Sequence, residues 1–178
     1  MNLDRIPPGA GGNRVHVVID TPAGSANKYK FDEDLGLFRL SRVMPKGLVF
    51  PHDFGSIPGT RAADGDALDV MVIGLPPTFP GCLVTARLIG VLHARQVENA
   101  KAVRNDRLIG IGETAVNKSS IRALRDLDPQ QVADIERFFK GYNEAQGRKF
   151  KIEGRGDRRS AETALEQAIK AYRRECDQ

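Results

Sequence analysis

The chain has 178 residues, and its 27 Lys plus Arg against 23 Asp plus Glu leave a formal charge of +4. At roughly 100–200 residues per domain, that length points to one domain, 1–178, able to bury roughly 70% of its unfolded surface without staples. A content of 40% hydrophobic and 28% charged residues excludes a disordered chain, and no apolar run approaches the ~18–20 residues of a membrane span, so no membrane partner is expected. The opening MNLDRIPPGAGGNR lacks the apolar stretch of a secretory leader. Cys82 and Cys176 stand far apart at no metal or disulfide spacing, and a reducing cytoplasm is the expected compartment. A basic balance raises nucleic acid as a partner. The basic residues are spread along the chain, however, and aromatics are only 6% with no Trp, so nucleic acid is the weakest partner reading.

In chain order, residues 1–13 form a Pro/Gly-rich lead-in, and RVHVVIDT at 14–21 reads as a β-branched strand. KYKFD at 28–32 reads as a second strand by period 2, with Tyr29 and Phe31 on one face. Gly36 turns the chain into LFRLSRVM, where Phe38, Leu40 and Arg42 share a face. Residues 45–67 are dense in Pro, Gly and Asp and read as a long loop with short strand pieces. LDVMVIG at 68–74, CLVTARLIGVL at 82–92 and DRLIGIG at 106–112 read as further strands.

The period then changes. Asp128 as N-cap with Pro129 behind it predicts a helix carrying Val132, Ile135, Phe139 and Tyr142 on its apolar face and ending at Gly147. A second helix is predicted after Ser160 as N-cap, with Leu165, Ala168, Ile169 and Tyr172 as its stripe. Short strands followed by two helices make an α+β chain, expected as a small closed barrel with both C-terminal helices packed outside.

The sharpest local signal is Asp64-Gly65-Asp66-Ala67-Leu68-Asp69, running straight into Val70-Met71-Val72-Ile73. Hard oxygen donors at close spacing suit Mg2+ or Mn2+. Gly65 permits the tight turn between the first two acids. The same composition also makes an ordinary solvated turn. An EF-hand is excluded, because the glycine falls between the first two acids and no Glu occupies the closing position. Lys28, Arg42 and Lys101 lie beside strands made otherwise of apolar residues. Cations near clustered carboxylates suggest a site for a metal and a phosphate ligand.

With these residues in view, the sequence resembles the soluble family I inorganic pyrophosphatases from about residue 14 to about residue 172. The acid run is similar to the family's D-x-D-P-x-D pattern, with Ala67 in the Pro position. Supporting pieces follow in the family's order: VVID at 17–20, KYKFD, Arg42-Val43-Met44, VFPHDFGSIPGT at 49–60, and RFFKGYN with KIEG. The resemblance implies an OB-like barrel with flanking helices, a homo-oligomer that is commonly a hexamer, and Mg2+-dependent hydrolysis of pyrophosphate. By position it implies that Asp64 and Asp69 bind metal and that Asp66 helps activate the attacking water. It gives Lys28, Arg42, Lys101 and Tyr142 the phosphates, and it gives Asp20, which stands where the family has Glu, a metal-side role. The departures form a pattern. Lys30 replaces a Glu, Gln96 and Asn99 replace metal-site Asp residues, Phe50 and Phe54 replace tyrosines, and Asn143 replaces a Lys. The loss of negative charge leaves open a second reading, a weakly active or inactive homologue that binds a phosphate-containing ligand.

Overall fold

The structure is a computed structural model and describes residues 3–98, 101–114 and 119–176. Among the described residues, strands run β1 Arg14–Thr21, β2 Asn27–Asp32, β3 Leu37–Val43, β4 Asp53–Ile57, β5 Leu68–Ile73, β6 Leu83–Glu98, β7 Lys101–Arg104, β8 Arg107–Glu113 and β9 Lys149–Gly156. Helix α1, Pro129–Glu144, precedes β9, and helix α2, Arg158–Cys176, follows it.

Five strands close on themselves. β1 pairs antiparallel with β4 and β4 with β5, β5 runs parallel to β8, and β8 pairs antiparallel with β6, which returns to β1. Closure leaves no exposed ladder on these strands. Period-2 alternation sends Val15, Val17, Ile19, Val70, Val72, Leu88 and Leu108 into one buried cluster. The alternate residues Phe54, Met71, Ile73, Ile89, Ile109 and Ile111 form a second cluster on the other face, which α1 covers with Val132, Ile135, Phe138 and Phe139. Helix α2 brings Ala161 and Ala168 to the first cluster. This is the expected α+β, OB-like arrangement with both helices outside the ring. No described helix is long and apolar enough to cross a membrane.

Several elements depart from expectation. The 82–92 run continues to Glu98, because its outer half is held by two neighbours, with Gln96 opposite Val103 of β7 and Phe150 of β9. Asp53–Ile57 of the long loop is a full ring strand. Ser160 does not cap α2, since it lies inside the helix. Asp157 takes that place, its carboxylate accepting from the Ser160 amide at 2.9 Å and hydroxyl at 3.0 Å. Asp128 does cap α1, accepting from the Gln130 amide at 2.8 Å.

Candidate active site

The ring presents one face to the β2–β3 hairpin, and between them opens a cleft of about 710 Å³. All eight residues singled out from the sequence line it: Asp20, Lys28, Arg42, Asp64, Asp66, Asp69, Lys101 and Tyr142. They come from the end of β1, from both strands of the hairpin, from the turn into β5, from β7 and from α1. Lys30, Phe54, Gln96 and Asn143, four of the departures from the family pattern, line it too. Phe50 sits in the aromatic cluster behind it, with its ring 5.6 Å from Phe54 and 4.9 Å from Phe138. Asn99 and the side chain of Glu98 lie outside the described residues.

The acid turn is built rigidly. Gly65 takes φ +88°, as the spacing of the acids requires. The Asp64 carboxylate accepts from the Asp66 amide at 3.2 Å, the Ala62 amide donates to the Asp66 carbonyl at 2.8 Å, and the Arg61 guanidinium donates to the Gly65 carbonyl at 2.6 Å. The Thr60 hydroxyl accepts from the Leu68 amide at 2.9 Å, which fixes the entry of β5 and so the place of Asp69.

Three of the four acids already face a cation of the chain. Lys28 Nζ lies 3.4 Å from Asp20, Lys30 Nζ lies 2.9 Å from Asp66, and the Arg107 guanidinium pairs with Asp69. Lys28 also sits over the Phe54 ring, 4.5 Å from its centroid. On the hairpin Lys28 stands directly opposite Arg42. Like charges so placed repel unless an anion joins them, which makes this corner suited to a phosphate. Tyr142 is stacked on Phe138 at 5.8 Å and meets Phe50 edge-on at 5.5 Å. Gln96 accepts from the Asn105 amide group at 2.9 Å, and Asn143 donates to its own helix at the Phe139 carbonyl, 2.8 Å away.

Arg107 was invisible as a site residue in the sequence. It opens a strand as a lone arginine, and its partner Asp69 lies 38 residues earlier. Only the parallel pairing of β5 with β8 brings the two together.

Burial pushes the Asp20 carboxyl up from 3.8 to about 6, against the pull of the Lys28 ammonium. A carboxyl that holds its proton more tightly when folded stabilises fully below the unfolded value, and that stability is lost as pH rises through about 6. In metal-free protein this amounts to a decline of about 2 kcal/mol between roughly pH 4 and pH 7. Urea unfolding across that window should show a steeper decline in the parent than in Asp20→Asn, where burial of Asp64 still raises one carboxyl. A parallel pH dependence in both proteins would contradict the assignment.

The oxygen donors of Asp20, Asp64, Asp66 and Asp69 on one cleft fit a hard divalent cation in their chemistry. Among the described residues, no three acids, histidines or cysteines are yet drawn into a metal-holding group.

Comparison with known proteins agrees along nearly the whole chain. The family model for inorganic pyrophosphatase matches residues 17–173. The inorganic pyrophosphatase of Nostoc sp. is 35% identical over 173 residues, covering 97% of this chain and all of that one. The crystal structure of inorganic pyrophosphatase from Thermus thermophilus superposes with a TM-score of 0.86 at 33% identity, covering 97% of this chain and 99% of that one. That from Neisseria gonorrhoeae gives 0.85 at 28% identity, covering 96% and 98%. With the closed ring, the acid turn and the cations gathered on one cleft, these likenesses make the chain a member of the inorganic pyrophosphatase family.

Proposed function

We propose that the chain hydrolyses inorganic pyrophosphate to two phosphates. The observation that carries this is the cleft that four aspartates share with Lys28, Arg42 and Lys101. Full-length likeness to proteins named inorganic pyrophosphatase favours hydrolysis over the binding-only reading. Membership in the family implies a divalent metal cofactor, which we assign as Mg2+, with Mn2+ as a substitute. Bound on the cleft, it would neutralise phosphoryl oxygens and lower the pKa of a water molecule.

Asp20, Asp64 and Asp69 would hold this ion. Lys28 and Arg42, side by side on the hairpin, would grip one phosphoryl group, with Lys101 and the Tyr142 hydroxyl completing the cradle. Asp66 reaches into the open part of the cleft, where it would take the proton as water oxygen bonds to phosphorus and the bridging P–O bond breaks. The residues 1–178 work as one domain in this reading, and the protein acts in the cytoplasm as a homo-oligomer, a hexamer by resemblance to the family.

The test is phosphate release from pyrophosphate with and without Mg2+. The expected result is release that requires the ion. Absence of Mg2+-dependent release at any enzyme concentration would sink the proposal.

A further inference from the structure

We infer that Lys30 and Arg107 are resident counter-ions of the acidic cleft, Lys30 displaceable and Arg107 fixed, which together take over part of the charge a divalent cation would otherwise supply. The inference rests on the pyrophosphatase reading for its chemistry, but its physical basis lies in two ion pairs of unlike character.

The Lys30–Asp66 pair lies in the open. Its side chains are 61% and 62% exposed, with Nζ 2.9 Å from Oδ1. Such a pair is screened by water and salt and is held by a flexible four-carbon stem. Lys30 therefore sets a mobile positive charge beside Asp20 and Asp69, which would hold the ion, and opposes an incoming cation until it swings away. Where the family pattern has a Glu, this chain has the opposite charge, so the cleft is two charge units more positive at this position.

The Arg107–Asp69 pair is the reverse case. The Arg107 side chain is 6% exposed. Its guanidinium lies 6.0, 5.6 and 5.7 Å from the ring centroids of Phe54, Phe139 and Phe150, and its Nε is buried with no hydrogen-bond partner. A guanidinium does not lose its proton in a protein, and a buried one stripped of its carboxylate would be left uncompensated. Arg107 therefore stays on Asp69, and any cation held by Asp69 shares that carboxylate with it. Gln96 points the same way, since it lines the cleft as a neutral amide whose oxygen accepts from Asn105.

Equilibrium binding of Mn2+ alone, without pyrophosphate, tests this, with free Mn2+ counted by electron paramagnetic resonance. Removing one unit charge beside a divalent ion should tighten binding by about tenfold. Lys30→Gln is expected to do so, Lys30→Glu to do so by more and to add a bound ion, and Lys30→Arg to stay within about twofold of the parent. Unfolding midpoints should stay equal across the three, because the position is exposed. Arg107→Met should also tighten Mn2+, and Arg107→Lys, which keeps the charge, should stay within about twofold of the parent. If Arg107→Met fails to fold, Asp69→Asn, which removes the carboxylate Arg107 holds, is expected to leave Mn2+ affinity within about threefold of the parent. A larger loss there, or unchanged affinity in a folded Arg107→Met, overturns the role of Arg107. Unchanged affinity in Lys30→Gln, or equal tightening in Lys30→Arg, overturns the inference. Hydrolysis by the parent is measured separately. A parent without hydrolysis overturns the proposed function and leaves these binding shifts to be judged by themselves.

Discussion

Exchanging Asp66 for Asn is expected to lower turnover of pyrophosphate by about 10²–10⁴-fold, the usual contribution of a positioned acid–base group. The change is nearly isosteric and removes the proton-accepting carboxylate, together with its negative charge and its ion pair to Lys30. Asp66 is exposed and its side chain meets only Lys30 within the described chain, so the folded state should lose little, within about 0.5 kcal/mol. The phosphates are assigned to Lys28, Arg42, Lys101 and Tyr142, so the loss should fall on kcat rather than KM. Steady-state phosphate release with saturating Mg2+, paired with an unfolding curve, checks both parts. A kcat within about threefold of the parent would move the proton acceptor elsewhere in the cleft.

Truncating Phe139 to Ala should be the most damaging single change to stability, at about 3–5 kcal/mol. Its side chain is fully buried, with ring centroids 6.0 Å from Phe54, 5.4 Å from Phe138 and 6.3 Å from Phe150. It is one of four α1 residues, with Val132, Ile135 and Phe138, packed against the ring, and it is also one wall of the aromatic cage around Arg107. The cavity would loosen the guanidinium that holds Asp69, so the effect should reach the cleft as well as the core. Against a typical total of about 5–15 kcal/mol, the loss should lower the melting temperature by on the order of 10 °C. Urea unfolding measures it, and a midpoint close to the parent's would show that α1 is anchored by other residues.

The legible parts of this protein are those whose signals are local. Strand β1 occupies Arg14–Thr21, as the sequence predicts, because its β-branched residues are buried and Pro22-Ala23-Gly24 ends the run. Helix α1 announces itself through Asp128, Pro129 and the Val132, Ile135, Phe139 spacing. The acid turn was visible because three aspartates and a glycine fall within six residues. Strand β4 was hidden in a Gly- and Pro-rich stretch. It is a strand only because β1 and β5 pair with it on both sides, and Gly55 is there because a Cβ would sit 2.1 Å from the Val18 carbonyl oxygen. Strands β7 and β9 are too polar to stand out, and they exist as ladders along the outer half of β6. The sequence places the second helix one turn late, since Ser160 and Asp157 are both good caps and only the hydrogen bonds distinguish them.

The sequence by itself determined the α+β order, the acid turn, the cations matched to it and the family that their shared order resembles, because each is a matter of spacing along the chain. It also determined the +4 balance, but not where that charge acts. Tertiary structure alone decided that all eight candidate residues share one cleft, and that Lys30 and Arg107 stand against Asp66 and Asp69. The physical reason is distance: these pairs span 36 and 38 residues, and they form only when the hairpin folds over the ring and β8 lies beside β5.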